Sequence, residues 1–296
     1  MSSPRNKTIK VNQKDYQQFP ILKLPKNPVQ KDLLNKIYLA DANKDLTKLP
    51  KQSVDLIITD PPYTIRKNFG QGTLKQIKEK EFKKWADHWI KQCQRIIKPN
   101  GSIYICINWE ASGTIEALLK KYFILQNRIT WKREKGRGAK KNWKNNMEDI
   151  WFATKTDEYV FNLDQVKVKK SVIAPYKDQA GNPKDWQEKN GQKTRMTHPS
   201  NIWTDLVVPF WSMPENTQHP TQKPEKLIKR IITASSNKGA LVFDPFMGSG
   251  TTAVVAKKLN RHFLGFEIEE KYYFLAQKRI KKTTYSTGQL NCPGYD

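Results

Sequence analysis

Acidic residues are scarce in this chain of 296 residues, with 28 Asp and Glu against 53 Lys and Arg and a formal net charge of +25. A surplus of that size repels itself in a compact state unless an anion lies against it, which points to nucleic acid, an acidic membrane or an acidic protein as partner. Long apolar runs are missing too. None approaches the roughly 18 residues that a membrane helix needs, and the opening Met1-Ser2-Ser3-Pro4-Arg5-Asn6-Lys7 leads into polar sequence without a signal-peptide core. A membrane span is thereby excluded, secretion is not expected, and the cytoplasm is the expected location. Cysteine is rare. Cys93, Cys106 and Cys292 are scattered, with no CxxC pair and no nearby His cluster, so neither a disulfide framework nor a metal site is expected. What remains is 37% hydrophobic and 11% aromatic, enough for one elaborate domain or one and a half.

The chain falls into five stretches. Residues 1–33 are polar and basic, with Pro20, Pro25 and Pro28, and read as an arm. From 34 to 154 short apolar runs alternate with helical patterns. Strands are expected at Lys36–Asp41, Val54–Asp60 and Ser102–Asn108, with further strands at Ile124–Lys132 and Ile150–Thr154. Helices are expected over 75–98, stopped by the turn Pro99-Asn100-Gly101, and from Glu110 to Tyr122. Over 155–215 the rhythm breaks into a polar segment that carries five prolines and three tryptophans, which reads as an insertion with its own role. From 216 to 282 the alternation resumes, with helices at Pro224–Ser236, Thr251–Leu259 and Glu269–Lys282 around strands Ala240–Asp244 and His262–Glu267. The tail, 283–296, is turn-forming. Strand–helix alternation predicts an α/β fold with a doubly wound, mostly parallel sheet.

In such sheets ligands bind beyond the carboxyl ends of the strands, and two strand ends carry chemistry. The first is Asp60-Pro61-Pro62-Tyr63. Asp60 offers a carboxylate acceptor, the prolines hold a fixed backbone without N–H groups, and Tyr63 offers a flat face. Together they suit an exocyclic amine on a planar ring; the plain alternative is a rigid turn. The second is Asp244-Pro245-Phe246-Met247-Gly248-Ser249-Gly250, followed by a helix. Its glycines allow close backbone approach at a helix N-terminus, and no Gly-Lys-Ser/Thr follows. Glu267 ends the next strand, 23 residues after Asp244, near the spacing at which a carboxylate grips ribose hydroxyls. An adenosine cofactor without a triphosphate is implied.

Part of the positive charge is local. Lys132, Arg133, Lys135, Arg137, Lys140, Lys141 and Lys144 crowd one stretch, with Gly136, Gly138 and Trp143 between them. Cations for phosphates and an aromatic for stacking suit nucleic acid; a solvated loop is the alternative.

Asp60-Pro-Pro-Tyr63 resembles the catalytic motif of the β group of amino-directed DNA methyltransferases, Asp244-Pro-Phe-Met-Gly-Ser-Gly250 their S-adenosylmethionine motif, and His219-Pro-Thr-Gln-Lys-Pro224 the motif that accompanies it. The motif order here is that group's circularly permuted one, and the resemblance spans roughly residues 35–282. It implies a Rossmann-like methyltransferase sheet, with 34–154 as its catalytic half, 155–215 as a target-recognition insertion and 216–282 as its cofactor-binding half. It implies S-adenosylmethionine as cofactor, no metal, and methyl transfer to N6 of an adenine flipped out of duplex DNA. Asp60 and the Pro61 carbonyl would take the amine, with Pro62 fixing the turn and Tyr63 stacked on the base. Phe246, Gly248 and Ser249 would line the cofactor pocket, Asp244 would help shape it, and Gly250 would belong to the same cofactor-binding loop. Glu267 would hold the ribose, Asp41 approach the cofactor's adenine, and His219, Thr221 and Lys223 meet its methionine end. Lys135, Arg137, Lys140, Lys141, Trp143 and Lys144 would meet DNA. Arg195 is the residue of the insertion chosen to read a base edge, because its planar fork suits guanine O6 and N7; an ordinary surface ion pair is the equal alternative. Members that methylate cytosine N4 share the fold, so N4 stays open, as does an inactive DNA-binding module. C5-cytosine chemistry is excluded, since no Pro-Cys occurs. A second copy of the chain and a cognate restriction endonuclease are left open as further partners, and a nucleoid-bound enzyme is expected.

Overall fold

The computed structural model describes residues 5–62, 68–69, 72–73, 78–134, 140–173 and 175–284. Tyr63, Lys135 and Arg137 lie outside them. The strands in chain order are β1 (Lys36–Leu39), β2 (Val54–Thr59), the short pair β3 (Asn68–Phe69) and β4 (Gly72–Thr73), β5 (Ile97–Ile107), β6 (Ile124–Lys132), β7 (Met147–Thr154), β8 (Val168–Ser171), β9 (Gln187–Lys189), β10 (Gln192–Thr197), β11 (Ile202–Trp203), β12 (Leu241–Asp244) and β13 (His262–Glu267). The helices are α1 (Gln13–Gln18), α2 (Gln30–Leu33), α3 (Ala42–Asp45), α4 (Glu79–Ile96), α5 (Trp109–Tyr122), α6 (Leu163–Val166), α7 (Glu225–Ser235), α8 (Thr251–Lys258) and α9 (Glu270–Lys282).

Eight strands form one sheet in the order β1-β13-β12-β2-β5-β7-β6-β11. Every neighbouring pair is parallel except those that β7 makes with β5 and β6. Side chains alternate across the sheet. Ile57, Ile103, Ile105, Ile107 and Phe243 face a layer containing α4 and α5. Leu56, Ile58, Tyr104, Cys106 and Val242 face α7, α8 and α9. Both faces are covered, which is why β2 reads as a nearly continuous apolar run. On α4 the buried positions Phe82, Ala86, Trp89, Ile90, Cys93 and Ile96 recur at helical spacing and make a single inward stripe.

The turn signal Pro99-Asn100-Gly101 falls inside β5, not before it. Val54 pairs with Ile97 and Leu56 with Ser102, so between these pairs one residue of β2, Asp55, opposes four of β5, and the surplus leaves the ladder as a bulge. A Cβ at Gly101 would lie 2.8 Å from the Asp55 carbonyl oxygen, which explains the glycine. Strand β7 begins three residues earlier than the apolar pattern suggests, because its first turn of pairing carries Glu148 and Asp149, both buried.

The segment 155–215 is not one unit. Strands β8, β10 and β9 form a separate antiparallel sheet, whereas β11 joins the edge of the main sheet beside β6. Trp203 and Leu206 are part of the main core. The N-terminal residues lie against the body: Ile9 bridges Thr217, Tyr16 packs on Phe274, and Leu33 is wholly buried. Among the described residues no helix is long and apolar enough to cross a membrane.

Candidate active site

Strands β1, β13, β12 and β2 are adjacent and parallel, and each ends in or beside a carboxylate. Leu39 pairs with Glu267, Asp244 with Gly265, and Phe243 with Ile57. The register therefore sets Asp41, Glu267, Asp244 and Asp60 in a row along one end of the sheet. A cavity of about 570 Å³ opens there, and all four line it. So do Pro61, Pro62, His219, Thr221, Lys223, Phe246, Gly248 and Ser249, brought together from three parts of the chain.

The loop after β12 is organised by its own acids. Asp244 accepts from the Phe246 N–H at 3.0 Å and the Thr252 hydroxyl at 2.7 Å. Glu267 accepts from the Gly248 N–H at 2.6 Å and the Glu269 N–H at 2.8 Å. Burial dominates both carboxyls, outweighing those hydrogen bonds and pushing each up to about 7. Gly248 has φ +53°, and a Cβ there would lie 3.0 Å from His219 Nε2, so the His219 ring closes directly over the loop. That ring rests edge-on against Tyr272, with centroids 4.4 Å apart. Asp41 caps α3 by accepting from the Asn43 N–H at 2.9 Å.

Two residues sit differently from their sequence assignment. Gly250 does not line the cavity; it lies behind the loop, at φ +80° under Ala276 of α9, and fixes how α8 starts. Lys223, assigned to the methionine end of a cofactor, places its ammonium 2.6 Å from Asp60 Oδ2 and 2.7 Å from Glu148 Oε1. Burial opposes its charge, but the two carboxylates more than offset that and hold it well above the usual lysine range. Arg195 lies on β10 with one guanidinium nitrogen 3.1 Å from Asp185. Lys140, Lys141, Trp143 and Lys144 are exposed and outside the cavity.

Sequence reasoning missed four contributors. Glu148 pairs with Lys223. Trp85 of α4 packs on Phe246 at 5.5 Å and lines the cavity. Arg279 of α9, buried, donates to the Ser249 carbonyl and the Thr251 hydroxyl, both at 2.9 Å, and to Glu225 at 2.9 Å. Cys106 is buried yet also lines the cavity; burial raises its thiol far above the usual range, so it is a neutral wall and not a nucleophile. The signal for Glu148 was a pair of acids opening an apolar run.

A family model described as DNA methylase, of the N6/N4 type, matches residues 54–278. The chain belongs to this DNA methylase family. The methylase is 39% identical over 255 residues to the DNA adenine methyltransferase YhdJ of Escherichia coli (strain K12), covering 84% of each chain. It is 33% identical to the type II methyltransferase M.HpaI of Haemophilus parainfluenzae, covering 83% of this chain and 74% of that one. Among solved structures it resembles the M1.HpyAVI–SAM complex, at 26% identity and TM-score 0.54 over 83% of this chain and 98% of that one. PvuII DNA methyltransferase (cytosine-N4-specific), at 18% identity and TM-score 0.61 over 88% of each chain, shares the fold of this methylase.

Proposed function

We propose that the protein is a site-specific DNA methyltransferase that transfers a methyl group from S-adenosylmethionine to N6 of an adenine flipped out of duplex DNA. The observation that carries this reading is the placement of Asp60-Pro61-Pro62 on the wall of the cavity that the Asp244–Ser249 loop also lines. An acceptor set for an amine thus shares one cavity with a cofactor loop. Adenine is favoured over cytosine because the acceptor is Asp and because the relative YhdJ is a DNA adenine methyltransferase; the M1.HpyAVI–SAM complex supports the cofactor.

The residues present fit the cofactor. Phe246, Trp85 and Ile268 give a flat apolar wall. The Glu267 carboxylate accepts the Gly248 and Glu269 N–H groups and lines the cavity, where it would also accept a ribose hydroxyl. Asp41 sits beside that wall for the adenine, and His219 and Thr221 lie across the loop for the methionine end. When bound, S-adenosylmethionine supplies an electrophilic methyl on a sulfonium centre. The protein's part is to prepare the amine. Its lone pair is delocalised into the purine ring, so Asp60 and the Pro61 carbonyl accept its two N–H bonds and favour the pyramidal, nucleophilic form. This is catalysis by positioning and electrostatics. Flipping costs a few kcal/mol, offset by stacking and by these hydrogen bonds.

The DNA face follows from topology. β6 ends on the side where the parallel strands terminate, which supports Lys140, Lys141, Lys144 and the 93% exposed Trp143 of the following connection as DNA contacts, with Arg195 on the separate small sheet. Duplex DNA is the partner; a second copy of the chain and a cognate restriction endonuclease are the further partners this reading admits.

Purified protein incubated with duplex DNA and labelled cofactor, followed by digestion to nucleosides, should yield N6-methyladenine. N4-methylcytosine as sole product would overturn the adenine assignment and leave the fold untouched. A second expectation follows from the carboxyls raised to about 7. As ribose acceptor Glu267 works ionised, so cofactor Kd should fall roughly three- to tenfold between pH 6 and 8. Glu267→Gln should weaken binding about tenfold or more and reduce that pH dependence, which calorimetry at several pH values measures. Unchanged affinity in the variant would remove Glu267 from the cofactor site.

A further inference from the structure

Glu148 lies outside the three motifs and outside the cavity wall, yet it is 3% exposed and holds the lysine that holds Asp60. It sits at the start of β7, opposite Trp131 of β6. Its neighbour Asp149 faces the other way, accepting from Ser112 at 2.6 Å and Arg128 at 2.9 Å, and is accounted for by those structural bonds. Glu148 instead receives the Lys223 ammonium at 2.7 Å on one oxygen and Arg133 at 3.3 Å on the other. A buried charge is kept only where pairing offsets its desolvation. Here a chain of four charges, Arg133–Glu148–Lys223–Asp60, runs from the base of the basic loop to the methyl-acceptor site.

We infer that Glu148 is a positioning residue for methyl transfer, dividing the charge of Lys223 between two carboxylates so that Asp60 is oriented by the lysine without being neutralised by it. The inference rests on the reading of Asp60 as acceptor of the target amine. Without Glu148 the balance of the ammonium's pairing shifts toward Asp60, which weakens it as an acceptor and draws it toward Lys223. Among the described residues, Asp244 on β12 and the Cys106 thiol on β5 also act on Asp60.

The test is single-turnover methyl transfer at saturating cofactor and DNA, per cofactor-binding site, across pH. Glu148→Gln should lower the plateau roughly 10–100-fold with cofactor and DNA Kd within about threefold. Removing a negative charge near Asp60 also eases its ionisation, so the acid limb should move to lower pH by about half a unit or more. Arg133→Gln removes a positive charge from the far end of the same chain, and should move the limb the opposite way. It also carries the test should Glu148→Gln bind no cofactor. Glu148→Asp, which keeps the charge, should keep the wild-type limb. A lower plateau with an unmoved limb in both Gln variants would reduce Glu148 to a packing role, and wild-type kinetics in Glu148→Gln would overturn the inference outright. Asp60→Asn as active as wild type would remove the acceptor reading itself, and this inference with it; loss of activity in Asp60→Asn beside normal Glu148→Gln kinetics would remove only the inference.

Discussion

Asp60→Ala should lower methyl transfer by at least roughly 10²–10³-fold while cofactor affinity stays within about threefold. The reason is placement. Asp60 directly follows β2 and pairs with Lys223 at 2.6 Å; among the described residues none of the hydrogen bonds that build the Asp244–Gly250 loop runs through it. Those bonds end on Asp244, Glu267 and Arg279, so the loop survives the substitution. Lys223 retains Glu148 at 2.7 Å, so its charge is not orphaned in the interior, and the cost in stability stays below that of a buried ion stripped of every partner. Isothermal titration with cofactor, beside single-turnover transfer, separates the two effects. Loss of cofactor binding in parallel with turnover would place Asp60 in the cofactor site.

The second large effect is expected at Gly250, where activity and stability should fall together. Its φ is +80°, and an added Cβ would come within 2.7 Å of the Ala276 Cβ and 2.9 Å of the Ala276 Cα. Left-handed backbone costs a side-chain-bearing residue about 1–2 kcal/mol, and forcing atoms into a packed contact about 1–3 kcal/mol more. Gly250→Ala should therefore lose roughly 2–5 kcal/mol, a large share of the roughly 5–15 kcal/mol that holds a domain together. Gly239 supplies the control, since it has φ +79° with nothing within 4 Å of its Cβ position. Gly239→Ala should show the backbone part alone. Urea denaturation of both variants measures the difference, and equal losses would mean that α9 yields at Ala276 and that the contact is soft.

Much of the fold was legible because its strands announce themselves. Val54–Thr59 and His262–Glu267 are buried on both faces and bounded by acids or turns, so periodicity and punctuation agree. The motif residues were legible for a related reason: residues after a parallel strand are fixed by their neighbours and gather at one end, and Asp60, Asp244 and Glu267 do so. Less legible were residues whose role depends on contacts between distant segments. Lys223 was read together with His219, but from two residues ahead of α7 its ammonium reaches Asp60 after β2 and Glu148 of β7. Glu148 carries no motif, and only the antiparallel course of β7 brings its first residues to the catalytic end. Arg279 reads as one more cation on a basic helix, and its burial against Ser249 follows from the packing of α9. The segment 155–215 lost its apparent unity for the same reason, since two residues, Ile202 and Trp203, return to pair with β6.

Methylation-aware sequencing of DNA from cells expressing the chain, beside cells expressing Asp60→Ala, addresses the central claim most directly. The account predicts N6-methyladenine at one defined sequence context in the first sample and none above background in the second. A modified base of another kind, or equal N6-methyladenine in both samples, would contradict it.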